Sequence, residues 1–292
     1  MKQACFAFLL SLQCTFALLA EISIAEQRAV AEQGDPGDQY KLGFMYFEGS
    51  PDIPKDYDEA AKWFRKAAEQ GNTSAQLSLG MMYVDGLGVG KDNAQAIRWL
   101  RAAAEQENAV AQYSLGVMYF QGIGVARDAA LAAQLYRKAA EQGNAPAQHN
   151  LGLMYAEGEG VLRDDTESLK WSRKAAEQGH ARAQYSLGML SLNGALGVPK
   201  NFSDAAMWFR KAAEQGDAKA QTSLGIMASS GLGLPKDGVD AFKWFLLAGA
   251  QGDTTAKNNI TRLEQVLTAA QQEEARKRAR EFKALDSNLL AP

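Results

Sequence analysis

The sequence predicts an all-α fold: an α-solenoid of about six helix–turn–helix repeats, ended by a long C-terminal capping helix. Three observations predict it. Ala-Glu-Gln-Gly recurs, ending at Gly34, Gly71, Gly143, Gly179 and Gly216; Glu107 fills the Gly slot of one copy, and Ala250-Gln251-Gly252 closes the series. The intervals run 37, 36, 36, 36, 37 and 36 residues, a fixed period that marks stacked supersecondary units. Each interval also holds two stretches with apolar residues spaced by three and four, which places them on one face of a helix. Between those stretches lies a glycine-rich segment that cannot sustain a helix. A single hairpin of this kind cannot bury its own apolar face, but stacked neighbours bury a shared one.

Taken along the chain, residues 1–25 read as a secretory signal peptide: Lys2 gives a positive start, and Ala4–Ala20 is apolar apart from Ser11, Gln13 and Thr15. Cleavage after Ala25 or after Ala20 and retention as an anchor are all open. Cys14 is a poor lipoprotein site because Gln13 precedes it. Both cysteines, Cys5 and Cys14, fall in this segment, so the expected mature chain has no disulfide. Residues 26–34 are expected to form a lead-in helix.

Six units follow, at 35–71, 72–107, 108–143, 144–179, 180–216 and 217–252. The third shows their grammar. Its first helix presents Ala111, Leu115, Met118 and Tyr119; Gly122–Asp128 turns; its second helix presents Ala132, Leu135, Tyr136 and Ala139. Asp56, Asp92 or Asn93 suits the N-cap of a second helix. Gly43, Gly80, Gly116, Gly152, Gly188 and Gly225 each follow a Leu within the first helix. A mid-helix glycine costs about 1 kcal/mol against alanine, so its recurrence implies a close helix crossing. All five Trp of the chain, at 63, 99, 171, 208 and 244, occupy one slot eight residues before the reference position, with Leu135 in the third unit. That regularity marks core filler. Residues 253–292 form the cap and tail. They carry Ile260, Leu263, Leu267 and Ala270 as one stripe and, through about Leu285, neither Gly nor Pro. They are read as one long helix whose second half is solvated, because a terminal repeat needs a polar outer face.

Taken together, Ala-Gln-x-x-Leu-Gly-x-Met-Tyr, then Gly-x-Gly-Val-x-(Lys/Arg)-Asp, then Ala-x-x-Trp-x-Arg-Lys-Ala-Ala-Glu-Gln-Gly resembles the Sel1-like repeat, a relative of the tetratricopeptide repeat. The clearest copies are Ala75–Gly88 with Trp99–Gln106 and Ala183–Gly188 with Trp208–Gly216. The resemblance covers roughly residues 35–252. Glu107 for Gly, and Ser191 and Ala228 for the Tyr of Tyr46, Tyr83, Tyr119 and Tyr155, depart from the pattern. The resemblance implies an adaptor or scaffold, often secreted or in the bacterial envelope.

The composition argues against several functions. A net charge of −3 over 292 residues provides no basic field for nucleic acid, and the Arg276–Arg280 cluster is flanked by Glu273, Glu274 and Glu281. No second segment is apolar enough to span a membrane, so no stable insertion is expected once the signal segment is removed. No cofactor or metal site is expected, and no catalytic residue is assigned. His149 and His180 are the only histidines; neither lies in a catalytic motif, and His149 reads as surface variation in a slot held elsewhere by Tyr113 and Tyr185. Gly86–Lys91 lacks the strand and the Lys-Ser/Thr ending of a phosphate loop.

The partner is expected to be a protein, held in a groove lined by the first helices. The candidate residues are Tyr40, Phe47, Leu77, Tyr113, Phe120, His149, Tyr185 and Thr222. Aromatic groups with polar tips suit such surfaces, although packing within the repeats is the competing reading for the same positions. The positions two after each Leu, namely Phe44, Met81, Val117, Leu153, Met189 and Ile226, are expected to be the more buried series. The leading function is a non-enzymatic adaptor in the periplasm or outside the cell. The alternatives are a scaffold of a secretion or polysaccharide-assembly complex, and a hydrolase of cell-wall or antibiotic substrates. Oligomeric state has no sequence signal here.

Overall fold

A computed structural model describes residues 24–50 and 53–289. Nearly all of the expected signal segment, both cysteines included, and the end of the tail lie outside the described residues. Among those residues there are fifteen helices and no β-strand. A short lead-in helix, α1 (Ile24–Ala31), is followed by six hairpins: α2 (Pro36–Glu48) with α3 (Tyr57–Glu69), α4 (Thr73–Asp85) with α5 (Asn93–Glu105), α6 (Ala109–Gln121) with α7 (Ala129–Glu141), α8 (Ala145–Glu157) with α9 (Asp165–Glu177), α10 (Ala181–Asn193) with α11 (Phe202–Glu214), and α12 (Ala218–Ser230) with α13 (Gly238–Ala250). The chain then closes with α14 (Thr254–Glu264) and α15 (Ala269–Leu289). The hairpins fall into two compact units, divided after Gln142. Within each unit a helix packs most extensively on its hairpin partner and next on the first helix of the following pair. No helix among the described residues is long and apolar enough to cross a membrane.

Each hairpin helix is 13 residues long, a length at which an isolated helix is marginal in water. Caps and packing therefore hold it. Asp56, Asp92, Asp128, Asp164, Asn201 and Asp237 cap the second helices, each side chain accepting from a first-turn amide. Asn93 is not a cap but the first residue of α5. Asn72, Asn108, Asn144, His180 and Asp217 cap the first helices in the same way.

The recurring mid-helix glycines mark the expected close crossings. A Cβ on Gly188 would lie 2.6 Å from the Phe209 ring, and one on Gly116 would lie 2.8 Å from Tyr136. Phe64, Leu100, Tyr136, Ser172, Phe209 and Phe245 fill these gaps in turn. In the loop, Gly88 adopts φ 61° with its Cα against the Tyr57 carbonyl, so a side chain there would collide with backbone. Four of the five Trp are buried, whereas Trp208 is half-buried beneath Lys211.

The Ala-Glu-Gln-Gly mark has a structural meaning that its period alone does not disclose. Its Gln reaches back to the buried Gln of the hairpin's own first helix: Gln70 Nε2 donates to Gln39 at 2.8 Å, Gln106 to Gln76 at 2.8 Å, Gln142 to Gln112 at 2.8 Å, Gln178 to Gln148 at 2.7 Å, Gln215 to Gln184 at 2.8 Å and Gln251 to Gln221 at 3.0 Å. The buried Gln in turn donates to the end of the preceding helix, Gln76 to Ala68 O at 3.2 Å and Gln184 to Ala176 O at 3.0 Å. Gln39 does the same to Ala31 O of α1 at 3.4 Å, so α1 serves as half of a preceding repeat. The Gly of the mark takes positive φ, from 86° at Gly71 to 103° at Gly34, and Glu107 is held at φ 58° in its place.

The cap differs from the single helix expected. The chain breaks between Glu264 and Ala269, where Thr268 and Gln271 form a reciprocal capping box: Gln271 Oε1 accepts from Thr268 N at 2.9 Å, and Thr268 Oγ1 accepts from Gln271 N at 3.3 Å. α14 packs on α13 through Ala256, Ile260 and Leu263, while Ala270 is exposed. The second half is not simply solvated. α15 folds back onto α13, burying Ala275 and Ala279 and setting Phe282 edge-on to Trp244 at 5.5 Å.

Candidate partner-binding surface

The eight predicted groove residues all lie on first helices, but they do not form one open face. Tyr40 packs on Phe64 with ring centres 5.5 Å apart, Tyr113 on Tyr136 at 5.8 Å and Tyr185 on Phe209 at 5.6 Å. These partners are the side chains that the mid-helix glycines admit. The polar tips of Tyr40 and Tyr185 are already engaged, sharing hydrogen bonds with Ser78 and Ser223 of the next hairpin. Burial raises the pKa of both hydroxyls, and those hydrogen bonds offset part of the rise. Phe47 stands edge-on to Tyr57 at 5.2 Å, and Phe120 is half-buried with the Arg127 guanidinium 5.4 Å from its ring centre. Leu77, His149 and Thr222 are buried, at 2%, 7% and 7% exposure. His149 is therefore an interior residue rather than surface variation.

The second series is the open one, contrary to expectation. Leu153 and Ile226 are each 40% exposed, and Met189, Met81 and Val117 are half-buried; only Phe44 is covered. Helix geometry explains the reversal. At about 100° per residue, a residue two after the Leu lies about 200° from it, nearly opposite the core. A residue two before lies at about 160°, close to the glycine face at about 100° where the hairpin partner packs. The two series therefore point to opposite sides of the direction away from the core, and only one of those sides is open.

In the second unit this face carries Leu153, Met189 and Ile226 with the small polar residues Asn150, Ser186 and Ser223 beside them. Its middle holds no charge. Arg182 and Lys219 flank it near the starts of α10 and α12, both exposed, and Glu157 closes the end of α8. A surface of this kind receives apolar side chains without desolvating a charge, and its flanking cations attract an acidic neighbour. On the second helices the Trp slots are covered instead by cations, with Lys66 Nζ 4.0 Å from the Trp63 ring centre and Lys243 Nζ 3.9 Å from that of Trp244.

The comparisons agree with this repeat architecture. The Sel1 repeat family profile matches residues 38–72, 73–108, 109–144, 145–180, 181–217 and 218–253. Among solved structures, the chain is similar to c5321, a protective antigen present in uropathogenic Escherichia coli strains that displays an SLR fold. The identity is 36% and the TM-score 0.79, over 92% of this chain and 57% of that one. The chain thus spans little more than half the length of that protein. It is also similar to a Sel1 repeat protein from Oxalobacter formigenes, with 33% identity and a TM-score of 0.70 over 78% of this chain and all of the other. No curated protein matches the chain. Sel1 repeat proteins generally mediate protein–protein interaction and are typically non-enzymatic. With all six hairpins matched in register, the chain belongs to the Sel1 repeat family.

Proposed function

We propose that the protein is a non-enzymatic interaction scaffold, exported to the periplasm or beyond, that holds a protein segment on the open face of its first helices. One observation carries the binding reading: Leu153 and Ile226 are exposed at equivalent positions of different hairpins, with Met189 between them in sequence register. Their neighbours Leu151 and Leu224 are fully covered, so this exposure is a property of the face and not of a loose core. The partner chemistry that fits is a segment of apolar side chains with an acidic residue near Arg182 or Lys219. Export is supported by the apolar start of the chain, by the small residues before Glu26 and by the confinement of both cysteines to that stretch. Similarity to a protective antigen is in keeping with it.

Binding is tested with Leu153→Asp and Ile226→Asp, which touch exposed positions and leave the core intact. Both variants are expected to keep wild-type helicity and to lose the partner. Retained capture would reject this face. Export is tested by fractionation and N-terminal sequencing: a mature chain beginning after Ala20 or Ala25 is expected, and an uncleaved protein in the cytoplasm would reject it.

A further inference from the structure

His180 breaks the pattern of first-helix caps. The equivalent residues are Asn72, Asn108, Asn144 and Asp217, whose oxygens accept a first-turn amide at any pH near neutrality. At α10 the acceptor is an imidazole nitrogen: His180 Nδ1 accepts from Ala183 N at 3.3 Å. The neutral ring must then carry its proton on Nε2. A second proton has only Nδ1 to go to, and there it converts the acceptor into a donor and ends the cap.

The ring has an unusual neighbour. His149 lies against it, with ring centres 5.1 Å apart. His149 is 7% exposed, and its Nδ1 is buried without a hydrogen-bond partner. Arg182, in the first turn of α10, is the charged group acting on both rings. From α9 the charged residues near this corner, Arg173, Lys174 and Glu177, are exposed, as are Lys211 and Glu214 of α11. No carboxylate among the described residues bonds either imidazole. A proton on either ring is therefore opposed by burial, by Arg182 and by the positive end of the α10 dipole. A second proton is opposed by the first as well.

We propose that His149 and His180 form an acid-released latch at the corner between α9 and α10: the neutral pair closes the corner, and protonation frees the first turn of α10 from its cap. Burial first, then His180 and Arg182, holds the His149 pKa at about 4, and burial followed by Arg182 lowers that of His180. Once the corner opens, both rings regain the ordinary histidine value near 6.5. The sign follows. Both folded values lie below the open-state value, so the closed form is fully favoured above about pH 6.5 and is progressively lost as pH falls from there toward about 4. The two rings titrate as a coupled pair.

The latch is read by amide hydrogen exchange of the full chain between pH 7 and pH 4.5, corrected for intrinsic exchange, with histidine titration followed by NMR. In the wild type, protection of the Ala183 amide and its first-turn neighbours is expected to fall at least tenfold over this range, while the equivalent turn after Asn144 keeps its protection. His180→Asn installs the cap used at α8 and is expected to abolish the local loss. His149→Tyr, the residue of this slot at Tyr113 and Tyr185, keeps the His180 cap but removes one proton site; the loss is then expected to persist with a shallower pH slope. Three results would overturn the latch: His180 titrating at or above 6.5 with protection unchanged, an undiminished loss in His180→Asn, or an unchanged slope in His149→Tyr.

Discussion

Replacing Gln184 by Leu tests whether the recurring Gln is a clasp between helices or only a family habit. Gln184 is 4% exposed, accepts from Gln215 Nε2 at 2.8 Å and donates to Ala176 O at 3.0 Å. Leu has a similar volume, so the change removes two hydrogen bonds without opening a large cavity. Each such bond contributes about 1 kcal/mol net. Neither surviving group is left stranded: Ala176 O still accepts from Gly179 N at 3.0 Å, and Gln215 Nε2 keeps Lys211 O at 3.3 Å. The full penalty for an orphaned buried group therefore does not apply, and the added apolar surface returns part of the loss. The expected cost is about 1–2 kcal/mol by urea denaturation. A double-mutant cycle isolates the clasp: Gln184→Leu with Gln215→Ala should couple by about 1 kcal/mol, because the pair shares one bond. Gln184→Leu with Gln251→Ala should be additive, since Gln251 is clasped to Gln221. Additivity in the first cycle, or a cost near zero for Gln184→Leu, would refute the clasp.

Gly188→Ala should destabilise by about 1–3 kcal/mol through overpacking against Phe209, despite the better helix propensity of Ala; thermal or urea unfolding reads it, and adding Phe209→Leu should recover much of the loss. Glu107→Gly should change stability by less than about 1 kcal/mol in urea unfolding, because relief of a non-Gly residue strained at φ 58° is offset by loss of the hydrogen bond that Gln112 Nε2 donates to Glu107 Oε2 at 2.9 Å, with the weak exposed Lys138 contact at 3.7 Å forfeited at little cost. Stability should also fall on acidification. His149 alone, taken from about 6.5 in the unfolded chain to about 4 in the fold, should account for about 3 kcal/mol between pH 7 and pH 4, and His149→Tyr should remove that share from the pH profile of unfolding.

The periodic part of the fold was legible because periodicity reports local geometry. Helical spacing, glycine turns and Asp caps each act within a few residues, and all appear where the sequence places them. The mid-helix glycines were equally informative, since a repeated local cost required a packing cause. The clasp has a sequence signal of its own: Gln39, Gln76, Gln112, Gln148, Gln184 and Gln221 form an unbroken polar series on a buried helix face, and such a series implies a hydrogen-bond partner. The break before Ala269 also had a signal. Thr268 with Gln271 is a capping-box spacing, and it starts a new helix although neither Gly nor Pro interrupts the stretch.

The candidate surface is less legible in the sequence, because orientation around a helix depends on where its neighbours lie. Tyr113 and Val117 flank the same Leu by two residues, yet the close crossing at Gly116 turns one toward its hairpin partner and leaves the other toward solvent. The meeting of His149 with His180 depends on how successive hairpins stack, which no spacing rule contains. What is particular to this chain lies in the residues that break its period. Several of them, Leu77, His149 and Thr222, lie in the interior, and the proposed partner surface lies one face further round.

The most direct test of the account is a side-by-side capture from an envelope fraction with the wild-type mature chain, Ile226→Asp and Tyr185→Phe, each first shown to be fully helical. Tyr185→Phe removes only a hydroxyl already engaged by Ser223. The account predicts that a partner held by the wild type is kept by Tyr185→Phe and lost by Ile226→Asp. Loss with Tyr185→Phe and retention with Ile226→Asp would contradict it and return the binding surface to the tyrosine series.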